Sequence, residues 1–159
     1  MNKEILVENQ TVFTPKDFME LALDEALNAK KRGSVPVGAI IVSDRKIISM
    51  SGNEMIKKTD PTAHAEILAI QKACQIMRSR ILEKCDIYVT LEPCAMCAQA
   101  ISLARIRRLY FGAYDTKYGG TEHGARIFDH ALHKTEVIGG ILETQCMKIL
   151  QNFFALKRI

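Results

Sequence analysis

The chain has 159 residues, of which 48% are hydrophobic and 25% charged, a balance typical of one globular domain that buries a core. We find no run of the roughly 20 apolar residues that a bilayer-spanning helix needs, so no membrane association is expected. The net charge of +4 is mild, and it permits a polyanionic partner without requiring one.

The N-terminus and the cysteines predict a cytoplasmic protein. The start of the chain, Met1 to Glu4, lacks the basic stretch and apolar run of a signal peptide, so we expect a reducing compartment. Five cysteines are an odd number, which argues against a complete disulfide framework. Two of them, Cys94 and Cys97, have metal-ligand spacing. The others lie in apolar or helical contexts and are expected in the core: Cys74, Cys85 and Cys146.

The first third of the chain predicts a helix followed by a hairpin. Thr14 precedes Pro15 as a capping residue, and apolar residues then recur at helical spacing until Gly33 ends the helix. The β-branched run 37–42 predicts a buried strand, and 47–50 returns as a second strand after a short polar turn. We therefore expect these two strands to pair.

The remaining elements alternate along the chain. They are a polar loop at 51–61, a helix from about Thr62, a strand at 87–91, a helix at 94–104, a strand at 109–111, a loop at 114–124 and a helix at 142–156. Helices separated by strands imply an α/β layered domain, and the early hairpin indicates that its central sheet is mixed. No repeat or linker interrupts the pattern, so we predict one domain over 1–159, with 1–13 as an extension or edge segment.

Two short motifs carry the chemistry, His64-Ala65-Glu66 and Pro93-Cys94-Ala95-Met96-Cys97. One histidine and two cysteines make a three-ligand zinc set that leaves the fourth position for water. Both motifs fall at predicted helix N-termini, where the partial positive charge favours the thiolate form of cysteine. Two such N-termini that point at one metal would bring the four residues together, with unligated Glu66 as the base.

Each half of this set has a simpler explanation. A lone Cys-x-x-Cys is more often structural or redox-active, and a structural zinc would want a fourth protein ligand. His123, His130 or His133 could supply one, although none has conventional finger spacing after Cys97. Glu66 alone would be a helix surface acid. Together, the two motifs at strand–helix junctions are much more specific, because they form the known signature of zinc nucleobase deaminases.

The residues around the motifs extend this pattern. They are Val35-Pro36-Val37-Gly38-Ala39, Asn53, Asp60-Pro61-Thr62-Ala63-His64-Ala65-Glu66-Ile67, Thr90-Leu91-Glu92-Pro93-Cys94-Ala95-Met96-Cys97, Phe111-Gly112-Ala113, Asp115 with Lys117, and Phe153-Phe154. On this pattern the chain resembles the bacterial tRNA-specific adenosine deaminases, of the cytidine-deaminase-like superfamily, from about Phe18 to Arg158. The resemblance implies a three-layer α/β/α fold with a central mixed sheet of about five strands, and a homodimer. It also implies hydrolytic deamination of adenosine to inosine at the wobble position of a tRNA anticodon.

The resemblance implies a role for each site residue. His64, Cys94 and Cys97 would hold one zinc ion per subunit, and Glu66 would shuttle protons for the zinc-activated hydroxide. The other expected contacts are with the target nucleoside or the surrounding anticodon stem-loop: Asn53, Val35, Ala65, Asp115, Lys117, Phe153, Lys157 and Arg158.

Alternatives remain open from the residues themselves. Asn53 lies in a turn-like loop and could simply satisfy the backbone. Phe153 and Phe154 cannot both face one core, and the more exposed ring could stack on a base. The segment 121–135 departs from the family pattern, so no contact is assigned to it.

Two other functions fit the same motifs. One is a non-catalytic RNA-binding or structural zinc protein, and the other is a deaminase of free cytidine, cytosine or guanine. The lead-in at 60–63 and the basic C-terminal helix favour the tRNA branch by resemblance.

Overall fold

The structure is a computed structural model that describes residues 12–157. Over this range the helices are α1 (Pro15–Lys31), α2 (Met55–Lys58), α3 (Ala65–Met77), α4 (Ala95–Leu103) and α5 (Glu143–Lys157), with a 3₁₀ turn at Ile127–Asp129. The strands are β1 (Gly38–Ser43), β2 (Lys46–Gly52), β3 (Cys85–Leu91), β4 (Arg108–Ala113) and β5 (Glu136–Ile138). Arg158 and most of the segment 1–13 lie outside the described residues, so the expectations on them stay predictions.

The five strands form one mixed sheet in the order β2-β1-β3-β4-β5. Strand β1 is antiparallel to β2 and to β3, whereas β3, β4 and β5 run parallel. In the centre of the sheet Ile41 pairs with Ile87, which pairs with Leu109, and all three side chains are fully buried. The predicted mixed sheet of about five strands is confirmed.

Helices cover both faces of the sheet, which gives the expected three layers. On one face, a Cβ at Gly38 would overlap the backbone of α1, and one at Gly112 would overlap Cys146 of α5. On the other face, Ser49 Oγ donates to Ala69 O of α3 at 2.7 Å, and α4 packs beside α3. The backbone of α1 and the side chain of Cys146 can therefore lie close to the sheet only because Gly38 and Gly112 lack a Cβ.

The predicted first helix and hairpin are confirmed. Asp17 N donates to Thr14 Oγ1 at 3.4 Å, and Thr14 N donates to Asp17 Oδ2 at 2.6 Å, which together complete a capping box. Between β1 and β2, Asp44 and Arg45 adopt left-handed φ angles of 51° and 62°. Two successive left-handed residues match the twist of a tight hairpin.

Helix α3 begins at Ala65, a little after the predicted start near Thr62. Asp60 Oδ1 accepts hydrogen bonds from Thr62 N at 2.8 Å and Thr62 Oγ1 at 2.7 Å. This local turn satisfies the Thr62 backbone outside a helix, so the helix starts later and His64 becomes its N-cap.

Three short elements were not predicted: α2, β5 and the 3₁₀ turn at Ile127–Asp129. Helix α2 has four residues with none buried, so it gives no amphipathic pattern. Strand β5 has three residues and exists through its pairing with β4, where Val137 lies beside Leu109. None of the helices within residues 12–157 has the length and apolar character needed to cross a membrane.

Candidate metal centre and substrate cavity

The N-termini of α3 and α4 meet at three side chains that can bind a metal. His64 is the N-cap of α3, Cys94 is the N-cap of α4, and Cys97 lies in the first turn of α4. His64 Nδ1 lies 3.7 Å from Cys94 Sγ and 3.4 Å from Cys97 Sγ. Two sulfurs at ~2.3 Å and a nitrogen at ~2.0–2.1 Å from a tetrahedral zinc would stand roughly 3.5–3.8 Å apart. The observed separations therefore fit zinc.

Helix capping does not use these side chains. An N-cap side chain commonly accepts a hydrogen bond from its own helix, but neither His64 nor Cys94 does so here. Their polar atoms point towards each other, across the gap between the two helices. The first-turn N–H groups of both helices direct their positive ends to the same place, which favours anionic ligands there.

The charges of the three groups are strongly coupled. The pKa of Cys94 falls to about 4, first because Cys97 donates a hydrogen bond to its sulfur and further because His64 does. The pKa of Cys97 is raised, chiefly by that same hydrogen bond. The hydrogen bond with Cys94 also raises the pKa of His64. Without a metal, ionisation of Cys94 therefore disfavours ionisation of Cys97, and a divalent cation bound to both sulfurs would favour both thiolates.

The fourth-ligand alternative is not supported by the histidines of the 121–135 segment. Within the described residues, the cluster that could hold a metal has three members, His64, Cys94 and Cys97. The ring of His123 hydrogen-bonds to Glu92 at 3.0 Å, and the ring of His133 to Ile106 O at 3.0 Å. A centre with three protein ligands leaves one position open, as in catalytic zinc sites.

Glu66 lies beside the cluster and is buried, so it is not a surface acid. Burial raises the pKa of its carboxyl to about 7, and the charge of His64 opposes this only in part. A carboxyl group that titrates near neutral pH both takes and returns protons readily.

A cavity of about 240 Å³ is lined by His64 and Cys94 of the cluster, by Glu66, and by four of the other predicted contacts. Its walls come from the loop before β1, the loop after β2, the N-termini of α3 and α4, and the loop after β4. The lining residues are Val35, Val37, Asn53, Met55, His64, Ala65, Glu66, Leu91, Glu92, Cys94, Asp115 and Tyr118.

Asn53 and Asp115 also bond to the backbone. Asn53 Oδ1 accepts from Met55 N at 2.9 Å, which is the backbone role considered from the sequence. Asp115 Oδ1 accepts from Lys117 N at 3.1 Å and from Tyr118 N at 2.9 Å. Both residues therefore shape the loops that line the cavity, whatever they contact in a ligand.

A second cavity, of about 530 Å³, lies beside the first; we call it the groove. The two share Val35, Leu91, Asp115 and Tyr118, so the groove continues from the smaller cavity, which holds the candidate metal ligands His64 and Cys94. Lys117 lines the groove and not the smaller cavity. The opposite wall is the side of α5 that carries Met147, Leu150, Gln151, Phe154 and Ala155.

The structure buries Phe153, whose expected contact with the anticodon stem-loop stays a prediction. The residue is only 6% exposed, and Lys157 Nζ lies 4.6 Å from the centre of its ring, so little of the ring is accessible to a ligand. Phe154 is 45% exposed and lines the groove. The sequence shows that Phe153 and Phe154 cannot both face the core. Which of the two is buried depends on the orientation in which α5 packs against β4.

Sequence reasoning missed the pairing of Glu92 with His123. The Glu92 side chain is fully buried, and it accepts from Glu122 N at 3.2 Å and contacts His123 Nδ1 at 3.0 Å. In the sequence, the one signal for this contact is the position of the Glu92 carboxyl group between an apolar strand and Pro93. A carboxyl group that is buried there needs a hydrogen-bond partner. These contacts attach the 119–123 segment to the residues that precede Cys94.

Replacing Glu92 by Ala should lower the free energy of unfolding by about 1–3 kcal/mol, because the part-buried Glu122 N–H and His123 ring lose the buried carboxyl group that accepts from them. The matched control is Glu136→Ala, whose side chain is 59% exposed and pairs with Arg108. That change should cost less than about 1 kcal/mol. Urea denaturation at fixed zinc measures both, and equal small losses would contradict a structural role for Glu92.

Comparison with known proteins identifies the family. Residues 14–113 match the model of the cytidine and deoxycytidylate deaminase zinc-binding region. A tRNA-specific adenosine deaminase of Agrobacterium fabrum is 49% identical over 144 residues, which cover 89% of this chain and 95% of the relative.

Solved structures agree with this assignment. One, from a study of A-to-I editing by tRNA:A34 deaminases at the wobble position of transfer RNA, is 50% identical with a TM-score of 0.82. The match covers 84% of this chain and 98% of that one. A guanine deaminase from Nitrosomonas europaea is 20% identical with a TM-score of 0.78, over 89% and 85% of the two chains, and shows the fold alone. The chain therefore belongs to the tRNA-specific adenosine deaminase family of zinc-dependent deaminases.

Proposed function

We propose that this protein hydrolyses adenosine to inosine at the wobble position of a tRNA anticodon, with one zinc ion per subunit. The observation that carries the proposal is the placement of Glu66, His64 and Cys94 in one cavity that continues into the groove, with Cys97 completing the ligand cluster. A reactive centre in a small cavity next to a longer groove suits one base withdrawn from a strand.

His64, Cys94 and Cys97 would hold the zinc, with His64 using Nδ1, the ring atom that lies between the sulfurs. Zinc in such a site lowers the pKa of bound water to about 7 and so supplies the nucleophile at neutral pH. Two thiolates balance the charge of the ion, and the neutral imidazole adds none.

Glu66 would move the protons. Its buried carboxylate takes a proton as the attacking water bonds to the amino-bearing carbon of the base. It passes that proton to the ring nitrogen next to this carbon, then takes the second proton from the newly added hydroxyl group and gives it to the amino nitrogen, so that the carbon–nitrogen bond breaks and ammonia leaves. The oxygen from water stays on the ring as the carbonyl of inosine. A pKa of about 7 lets one carboxyl group perform both transfers near neutral pH.

The remaining cavity residues would position the base. Val35 supplies an apolar wall, and the backbone at Ala65 lies at the start of α3, where N–H groups are free of helix partners. Because Asn53 Oδ1 already accepts from Met55 N, its amide N–H groups are the part offered to a ligand. The volume of about 240 Å³ is below that of cavities for drug-sized ligands and fits a single base.

A tRNA substrate is favoured over a free base by two observations. The family members of highest similarity reported above, at 49% and 50% identity, are described as acting on tRNA. The groove carries Lys117 and an exposed aromatic side chain, Phe154, which suit a backbone phosphate and an unpaired base. We also propose that Lys157, at the end of α5, and Arg158, which follows it in the sequence, contact the same RNA.

Cytoplasmic location and a homodimer are part of this proposal. Cysteine ligands persist in a reducing compartment. Helix α4 leaves Met96 and Leu103 exposed, which supplies apolar surface for a second subunit.

Replacing Glu66 by Ala or Gln should lower kcat by at least about 100-fold, since general acid–base catalysis typically contributes that much or more. Gln keeps the shape of Glu but carries no titrating proton, so both variants should fail alike. Zinc content and melting temperature should stay near those of the unmodified protein.

The control is Glu20→Ala, which removes an exposed acid from α1 and should leave the rate unchanged. Turnover that survives Glu66→Gln would contradict the proton-transfer role. If the unmodified protein deaminates no substrate, the non-catalytic zinc protein becomes the better interpretation.

The substrate is tested with a panel given to the zinc-loaded protein. An anticodon stem-loop with a wobble adenosine should yield inosine, whereas cytidine, cytosine and guanine should not react. A stem-loop with adenosine moved one position along the loop controls for position. Turnover of a free base in place of the stem-loop would overturn the tRNA proposal.

A further inference from the structure

Two exposed aromatic side chains line the groove from different parts of the fold. Tyr118, in the loop after β4, is 68% exposed, and Phe154, on α5, is 45% exposed. Both belong to the lining of the groove, and Tyr118 also lines the smaller cavity beside His64, Glu66 and Cys94. An aromatic ring thus lies at the junction of the two spaces, with a second ring further along the groove.

The backbone that carries Tyr118 is fixed, although its ring is exposed. Asp115 Oδ1 accepts from Tyr118 N at 2.9 Å, and Gly119 N donates to Asp115 O at 3.0 Å. The residue after Tyr118 links this loop to the candidate metal centre, because Gly119 pairs with Cys94 in an isolated β-bridge. Only the two side-chain torsions of Tyr118 remain to be ordered when a ligand binds, so the entropic cost is small.

Phe154 is held on a rigid helix. The neighbouring ring of Phe153 is buried and contacts Phe154 edge to face, with ring centres 5.4 Å apart. Beside Phe154, the α5 wall of the groove carries further apolar side chains, such as Leu150 and Met147. A flat aromatic ligand is the chemistry that such walls accept best.

A positive charge beside the groove indicates that the flat ligand carries a negatively charged group. Lys117 lines the groove, and its Nζ lies 5.2 Å from the centre of the Tyr118 ring. Lysine beside exposed aromatic rings is the arrangement by which proteins bind single-stranded nucleic acid, with bases stacked and phosphates near the positive charge.

We propose that Tyr118 and Phe154 form a stacking clamp for an unpaired base directly next to the target nucleotide. Tyr118 stacks on that base where it leaves the catalytic cavity, and Phe154 limits the groove on the α5 side. The clamp therefore favours an RNA loop with unstacked, unpaired bases over a base-paired strand or a free base. This inference rests on the proposed function, since the target nucleotide is the wobble adenosine.

The first test measures the affinity of the zinc-loaded protein for the stem-loop at fixed salt, with Tyr118→Ala, Phe154→Ala and Tyr118→Phe. Each Ala variant should weaken binding by about 10-fold to 100-fold, the range for loss of one base–aromatic stack. Tyr118→Phe keeps the ring and should bind within about threefold of the unmodified protein. KM should rise in the Ala variants while kcat stays nearly constant. Ile76→Ala is the control, because it truncates an exposed side chain outside the groove.

The second test removes the base instead of the ring. Stem-loops with an abasic nucleotide on either side of the wobble adenosine are bound to the unmodified protein and to Tyr118→Ala. At one of the two positions, the abasic change should weaken binding to the unmodified protein but add no further loss in Tyr118→Ala. Such coupling distinguishes direct stacking from a structural effect of the substitution.

Two results would overturn the clamp while the proposed function stands. One is deamination and binding of the stem-loop by Tyr118→Ala at the level of the unmodified protein. The other is additive loss at both abasic positions. If the unmodified protein neither binds nor deaminates the stem-loop but converts a free base, the proposed function fails, and the clamp fails with it.

Discussion

The meeting of two helix N-termini at one point is the constraint on which the rest of the site depends. A histidine and a cysteine occupy the N-cap positions of α3 and α4 without capping them, so their side chains are available to each other. The first-turn N–H groups add positive potential there, which stabilises thiolate. Without a metal, the same hydrogen bond lowers the pKa of Cys94 and raises that of Cys97, so a second thiolate is disfavoured. A zinc ion bound to both sulfurs would remove that conflict.

The sheet explains why these helices start where they do. Each follows a strand or loop at the same end of the sheet, where β3 ends at Leu91 and β4 ends at Ala113. The loop after β4 then returns to Cys94, with which Gly119 forms a β-bridge. The contact between Glu92 and His123 attaches the same loop to the end of β3. As a result, one loop connects the metal ligands, the cavity wall and the groove. The lining of the groove and the positions of the candidate metal ligands are therefore linked through the backbone of this loop.

Much of this arrangement could be predicted from the sequence, because it follows from local patterns. Thr14 and Gly33 mark the bounds of α1, and the two zinc motifs fall at helix starts that the structure confirms within a few residues. What could not be predicted depends on contacts between distant parts of the chain. Strand β5 is too short to recognise without β4 beside it, and the exposure of Phe154 over Phe153 follows from the docking of α5. The burial of Glu92 likewise needs the 119–123 segment, which lies about thirty residues further along the chain.

The central claim is that His64, Cys94 and Cys97 bind zinc and leave one position open. X-ray absorption at the zinc edge of the purified protein tests it most directly. The account predicts two sulfur neighbours at ~2.3 Å, one histidine nitrogen at ~2.0–2.1 Å and one further light atom. A closed shell with a third sulfur or a second histidine, an environment without sulfur, or protein that takes up no zinc would contradict it.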